Sequence, residues 1–232
     1  KGEDLPFKAR HDLPFVTIEL TKYTPTTSVT VNNPLKKFGA FLWNHRKMNE
    51  KQQKVVQLQR KKLNTKKLSN FAIKFKAKQL VTTLYGQIRF QQFKQLSKRS
   101  EKYQGKVTHV LFSLLEKRLD SFLVHLGFTP TFASAKQLIN HKKVYVNKRL
   151  VTSPSFCLKP GDIVSFANET KDLVARNIQF LVVQQKQKKF LFYKKLHAEV
   201  NYKTLEAVLL FSPQQIHYPV QVDPELVLKA LR

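Results

Sequence analysis

A chain of 232 residues can hold one large domain or two of ordinary size, and 42% hydrophobic residues are enough for a real core. Its formal net charge of +27 and pI near 10.2 point to a polyanionic partner, either nucleic acid or an anionic membrane surface. The single cysteine, Cys157, excludes an intramolecular disulfide and any multi-cysteine zinc site, and reads as a small buried residue in a short apolar strand.

The membrane reading is the weaker one. No apolar run approaches the roughly 20 residues of a spanning helix, and the basic residues are spread along the chain instead of lining one face. The seven histidines show no HExxH or paired-ligand spacing, so neither a metal nor a cofactor is expected.

Residues 1–45 are broken by Pro6, Pro14, Pro25 and Pro34 into short extended pieces. Their β-branched run TIELTKYTPTTSVTV suits an edge strand or an extended arm lying on a partner. No amphipathic, arginine-rich presequence is in view, and with an opening at Lys1 instead of methionine the sequence need not be the whole gene product.

From Arg46 to Lys106 the chain carries eighteen lysines and arginines against only Glu50 and Glu101. Apolar residues at helical spacing, among them Leu68, Phe71, Phe75 and Leu80, alternate with the basic ones, so residues 46–106 read as a basic helical domain. A solvated helix face is the plain alternative. With so few acids, however, self-repulsion is costly and a phosphate-rich partner accounts for the charge more simply. Arg46, Lys47, Arg60, Lys61, Lys62, Lys66, Lys67, Lys74 and Lys78 are the candidate phosphate contacts of this segment.

Val107, Val110, Leu111, Leu114, Leu115, Leu119, Phe122, Leu123 and Leu126 recur at three- and four-residue steps, which predicts one long amphipathic helix stopped by Gly127. Thr131 then caps a second helix with Ala135, Leu138 and Ile139 inward. Its outer side carries Ser134, Gln137 and His141, flanked by Lys136 and Asn140. After His141 the period changes to two, and Val144 to Val151 read as a hairpin turning at Asn147-Lys148, a pair too poor in glycine to assign a type I′ turn. Pro154 and the Pro160-Gly161 turn bracket a further short strand, with Ile163 to Phe166 as its return.

In the order RLD, LG, AKQLINH, VN, PS and KPGD, residues 107–170 resemble the S4 RNA-binding domain, most closely the version in the small-subunit ribosomal protein family after which the domain is named. LSNFAIKFKAKQLVTTLYG followed by IRFQQFKQL is similar to the helical domain of that family, with Ser97 to Gly105 as the linker. The chain departs from the family at Pro130 and Phe132, where arginines are usual, at Lys142 and Lys143, where glycine then histidine are usual, and at Lys148, which replaces the hairpin glycine. The resemblance spans about Arg46 to Arg232 and implies a structural rRNA-binding protein of the small subunit. It implies small-subunit rRNA and neighbouring ribosomal proteins as partners, with the messenger entrance nearby.

Folded RNA is read largely through shape, phosphates and 2′-hydroxyls, which suits short amides, hydroxyls and lysines on a rigid helix. The expected recognition surface is therefore Ser134, Lys136, Gln137, Asn140 and His141, joined by Lys142, Lys143, Asn147, Lys148 and Lys159. Arg118 is expected chiefly to contact RNA while also holding Asp120. The triplet Arg118-Leu119-Asp120 also occurs in pseudouridine synthases, where the aspartate is the nucleophile. Here SFLVHLG follows it inside a helix, and no segment the size of a catalytic domain is left over, so an S4-domain RNA-modifying enzyme or rescue factor is the second reading.

Between Lys171 and Lys195, Phe180 to Val183 and Phe190 to Tyr193 flank a lysine cluster, which predicts a strand pair around a basic turn. That cluster reads equally as an RNA contact or a solvated, nuclear-import-like patch. Asp223, Pro224 and Glu225 make a strong helix start, with Leu226, Val227, Ala230 and Leu231 buried. The resemblance implies that this closing segment, residues 171–232, folds back on the helical domain. The expected class is α+β: a basic helical domain and a small αα-hairpin and β-hairpin domain. Lysine outnumbers arginine 33 to 9 and glycine is scarce, a bias of A/T-rich codons common in organellar genomes; with the departures at Pro130, Phe132, Lys142 and Lys148, which fit a fast-diverging lineage, it favours a mitochondrial origin over a plastid or bacterial one.

Overall fold

The computed structural model of the protein describes residues 50–65, 68–188, 196–213 and 223–231. The N-terminal arm, Arg46, Lys47, Lys66, Lys67 and the segment Phe190 to Tyr193 lie outside the described residues. Along the chain run α1 (Glu50–Thr65), α2 (Asn70–Leu84), α3 (Phe90–Ser100), α4 (Val107–Glu116), α5 (Leu119–His125) and α6 (Phe132–Asn140). They are followed by β1 (Val144–Val146), β2 (Arg149–Leu150), β3 (Ile163–Phe166), α7 (Asn168–Lys188), β4 (Ala198–Asn201), β5 (Glu206–Leu209) and α8 (Pro224–Lys229). The class is α+β, and no helix among the described residues is long and apolar enough to cross a membrane.

Two apolar clusters organise the chain. One joins α2, α3, α4 and α8 through Val81, Tyr85, Phe93, Leu96, Leu111, Leu115, Val227 and Leu231. In the other, Leu119, Phe122, Leu123, Ala135 and Ile139 of α5 and α6 pack with Val144, Val146, Val164 and Phe166 of the sheet and with Val174 and Ile178 of α7. The boundary falls at Lys117, so α4, expected to open the S4 segment, packs instead with the helical cluster.

The single long helix expected from Val107 to Leu126 is broken at that boundary. Arg118 is extended (φ −64°, ψ 138°), and α5 starts after it. The cause is a distant segment: Leu119 N–H donates to Phe156 O (2.8 Å), Asp120 N–H to Pro154 O (3.2 Å), and Leu158 N–H to Lys117 O (2.9 Å). Carbonyls from residues 154–156 thus satisfy donors that a new helix N-terminus leaves orphaned. The strand expected between Pro154 and Pro160 amounts to one bridge, Arg118 to Cys157, and Cys157 is half-buried instead of buried.

At its other end α5 closes with a Schellman pair. Gly127 sits at φ +80°, its N–H reaches Val124 O (3.1 Å), and Phe128 N–H reaches Leu123 O (3.1 Å). Thr131 caps α6, its Oγ1 accepting from Ser134 N–H at 3.2 Å.

The five strands are ordered β2-β1-β3-β5-β4, all antiparallel, with Val144 opposite Phe166 and Val164 opposite Ala207. Strands β4 and β5 therefore extend the S4 sheet and do not pack on the helical region. The closing helix does return there: Asp223 Oδ1 caps α8 through Glu225 N–H (2.9 Å), and Val227 and Leu231 enter the helical cluster. Residues 168–188 form helix α7, not the first strand of a pair, because Val174, Ile178 and Val182 recur every four residues against the sheet. Helix α3 runs through Ser100 with Ser97 and Ser100 buried, so the linker starts one turn later than expected.

Candidate nucleic-acid interface

Helix α6 and the turns that follow it present most of the predicted site. Gln137, Asn140, His141 and Lys142 are exposed, while Ser134 is half-buried. The end of α6 repeats the Schellman pattern: Lys142 N–H donates to Ile139 O and Lys143 N–H to Leu138 O, both at 3.1 Å. The residue at the left-handed position is Lys142 (φ +60°), where glycine would be unstrained.

β1 is only three residues long, so Lys143 at this corner and Asn147 at the hairpin turn lie about 13 Å apart. The turn residues Asn147 and Lys148 both have positive φ, +49° and +63°, the type I′ signature that the sequence alone left unassigned. Asp162 ties that turn to the next one. Its Oδ1 accepts from Asn147 Nδ2 (2.8 Å) and its Oδ2 from Lys159 N–H (2.7 Å), while Asn147 Oδ1 accepts from Ile163 N–H (2.9 Å). The amide of Asn147, expected to meet RNA, is committed to this brace. Lys148 and Lys159 are left exposed on one rim, with exposed Arg149, absent from the predicted set, beside them.

Three predicted contacts are engaged inside the protein. Arg118 is 3% exposed, and its guanidinium grips Asp120 in two places, Nε to Oδ1 at 3.0 Å and Nη2 to Oδ2 at 2.8 Å. Its expected role as chiefly an RNA contact gives way to a bidentate buried pair that steadies the start of α5. Lys136 Nζ donates to Gly86 O at 2.6 Å, and burial pushes its ammonium below the ordinary lysine pKa, opposed by Asp120 and reinforced by Arg118. Lys143 pairs with Glu169 in the first turn of α7, and that bond, with the charge behind it, holds the Glu169 carboxyl below its usual value.

A joint between the two clusters was not anticipated. Buried Glu116 accepts from Tyr85 Oη (2.8 Å) and meets His125 Nδ1 (2.6 Å), and His125 stacks edge-on with Tyr85 and Phe132. Gly86, at φ +71°, lies so close to Phe132 that a Cβ there would come within 2.5 Å of its side chain. The Tyr85-Gly86 turn therefore serves as the seat for α6.

In the helical region Lys61 is exposed and Lys74 and Lys78 are half-buried, while Arg60 and Lys62 lie on α1 with side chains outside the described set. The apolar spacing predicted there does not bury its first residues: Phe71 is 76% exposed, and Phe75 and Phe90 are also open to solvent.

A family profile described as S4 domain matches residues 117–164, which run from the helix break to the middle of β3. Small ribosomal subunit protein uS4m of Marchantia polymorpha is 33% identical over 186 residues, covering 80% of this chain and 92% of that protein. The chain belongs to the uS4 family. Small ribosomal subunit protein uS4 of Ruegeria sp. is 33% identical over 165 residues (70% of this chain, 77% of that protein), and uS4c of Chlorokybus atmophyticus 35% over 133 residues (56% and 65%). The uS4 family thus includes organellar as well as bacterial relatives of this chain.

Proposed function

We infer that the protein is a structural constituent of the small ribosomal subunit that binds rRNA and supports subunit assembly and translation. The observation that carries this reading is the exposed row Gln137, Asn140, His141 and Lys142 with the Lys148–Arg149–Lys159 rim, on a uS4-family chain of net charge +27. Amides and cations fixed on short, braced elements suit phosphates and 2′-hydroxyls. In the proposed arrangement the helical domain runs from residue 46 through α4 and takes back the closing helix, and the S4 domain starts at the helix break after Lys117. Neighbouring small-subunit proteins, and messenger RNA near its entrance, are the further partners.

We place the protein in the mitochondrial small subunit, on its lysine-rich, glycine-poor composition and its organellar relatives. A non-enzymatic role is supported by Asp120, whose carboxylate is buried against Arg118 and bonded by Ser121 N–H (2.9 Å) instead of facing a cleft. Sedimentation of fractionated mitochondria, read by mass spectrometry, tests the proposal. The protein is expected to travel with the small subunit. Its recovery only in ribosome-free fractions, with a base modification lost on its depletion, would replace this reading with the enzyme one.

A further inference from the structure

Between Leu68 and Ser100 the chain carries seven lysines and arginines and no acidic residue. This is also where large apolar side chains are left open. Phe71 is 76% exposed, Phe75 40% and Phe90 48%. Phe71 and Phe75, one turn apart on α2, stack with centroids 6.0 Å apart and planes inclined by 16°. Lys78 Nζ lies 4.9 Å from the Phe75 centroid and 4.4 Å from that of Phe90, at the start of α3, so one ammonium links rings from two helices. The residues of this segment that enter the helical cluster lie further along, half-buried Ala77, buried Val81 and the buried C-cap Tyr85, and none of the three phenylalanines is among them.

An exposed aromatic column among lysines has one chemical counterpart that satisfies both parts, a π-face attached to a phosphate. We propose that Phe71, Phe75 and Phe90 form a subsite for unpaired nucleobases of the bound RNA, with a base continuing the Phe71–Phe75 stack and Lys74 and Lys78 near the flanking phosphates. The inference rests on the rRNA-binding reading and adds that single-stranded nucleotides are taken up here, on α2 and the start of α3. Other occupants fit less well. A second copy of the patch would repel it, and the chain's own first 49 residues, with eight lysines and arginines against four acids, share its sign. Base stacking is tolerant of sequence, since every base has a π-face.

The test uses the full chain and two fluorescein-labelled probes, a 12-nucleotide oligoadenylate and a 12-base-pair RNA duplex, titrated by anisotropy at several salt concentrations. Phe71→Leu with Phe90→Leu keeps the apolar surface and removes the ring faces, whereas Phe71→Tyr with Phe90→Tyr keeps them. The leucine variant is expected to bind the single strand about tenfold more weakly per ring lost, with duplex affinity and salt slope unchanged, and the tyrosine variant to bind like the parent. Single-strand affinity unaltered by leucine, with the salt slope intact, would overturn the subsite and leave rRNA binding standing, with a protein or membrane contact as the use of these rings. Absence of salt-dependent binding to both probes by the parent protein would remove the rRNA reading itself.

Discussion

Arg118 and Asp120 hold each other below the surface, with side chains 4% and 0% exposed. A buried pair of this kind adds little net stability over an apolar substitute, yet loss of one partner strands the other as an uncompensated charge. Arg118→Ala is therefore expected to cost about 3–5 kcal/mol in urea unfolding; unchanged stability with weakened RNA binding would return the arginine to the RNA surface. Lys142 and Lys148 present the opposite case. Both sit at positive φ, where a non-glycine residue costs about 1 kcal/mol or more, and both are exposed. Replacing either with glycine is expected to stabilise the fold by up to about 1 kcal/mol while weakening RNA binding. A glycine variant that lowers the unfolding midpoint would show that the lysine is not strained there.

At the scale of elements, the seat of α6 on the Tyr85-Gly86 turn decides how the two clusters meet. Gly86→Ala adds a Cβ within 2.5 Å of Phe132 at a backbone φ of +71°, so α6 or the turn must shift. A loss of about 1–3 kcal/mol is expected, read as a lower urea midpoint; an unchanged midpoint would mean that Phe132 can swing aside freely. Elements whose signals were local were legible in the sequence: the caps at Thr131 and Asp223, the glycine stop at Gly127 and the alternation of Val144 and Val146. Those decided by distant partners were not. The apolar period runs unbroken through Lys117, and only the carbonyls of Pro154 and Phe156 show why a new helix starts at Leu119. Phe180 to Val183 looked like a strand because β-branched and aromatic residues cluster there, while the four-residue spacing of Val174, Ile178 and Val182 that seats α7 on the sheet was outweighed. Of the candidate site, the exposed residues of α6 were legible from helical period alone. The engagement of Arg118, Lys136, Lys143 and Asn147 was not, since each partner lies elsewhere in the chain or depends on the break.

For the whole molecule, two apolar clusters joined through Glu116 carry a surface whose charge is overwhelmingly positive. Three acids near the S4 surface are held within the protein: Glu169 by Lys143, Asp162 by two turns and Asp120 by Arg118. Among the described residues Lys142, Lys148, Arg149 and Lys159 are exposed cations of that surface, and each phosphate contact adds about 0.7 to 0.9 to the slope of log affinity against log salt. The central claim, rRNA binding through many phosphate contacts, is tested most directly by measuring that slope for small-subunit rRNA with the full chain and with a variant in which Lys61, Lys62, Lys66 and Lys67 are changed to glutamine. A steep negative slope, made shallower by about 3 in the variant if all four meet phosphates, is the predicted result; a slope near zero, or one that the four substitutions leave unchanged, would contradict it.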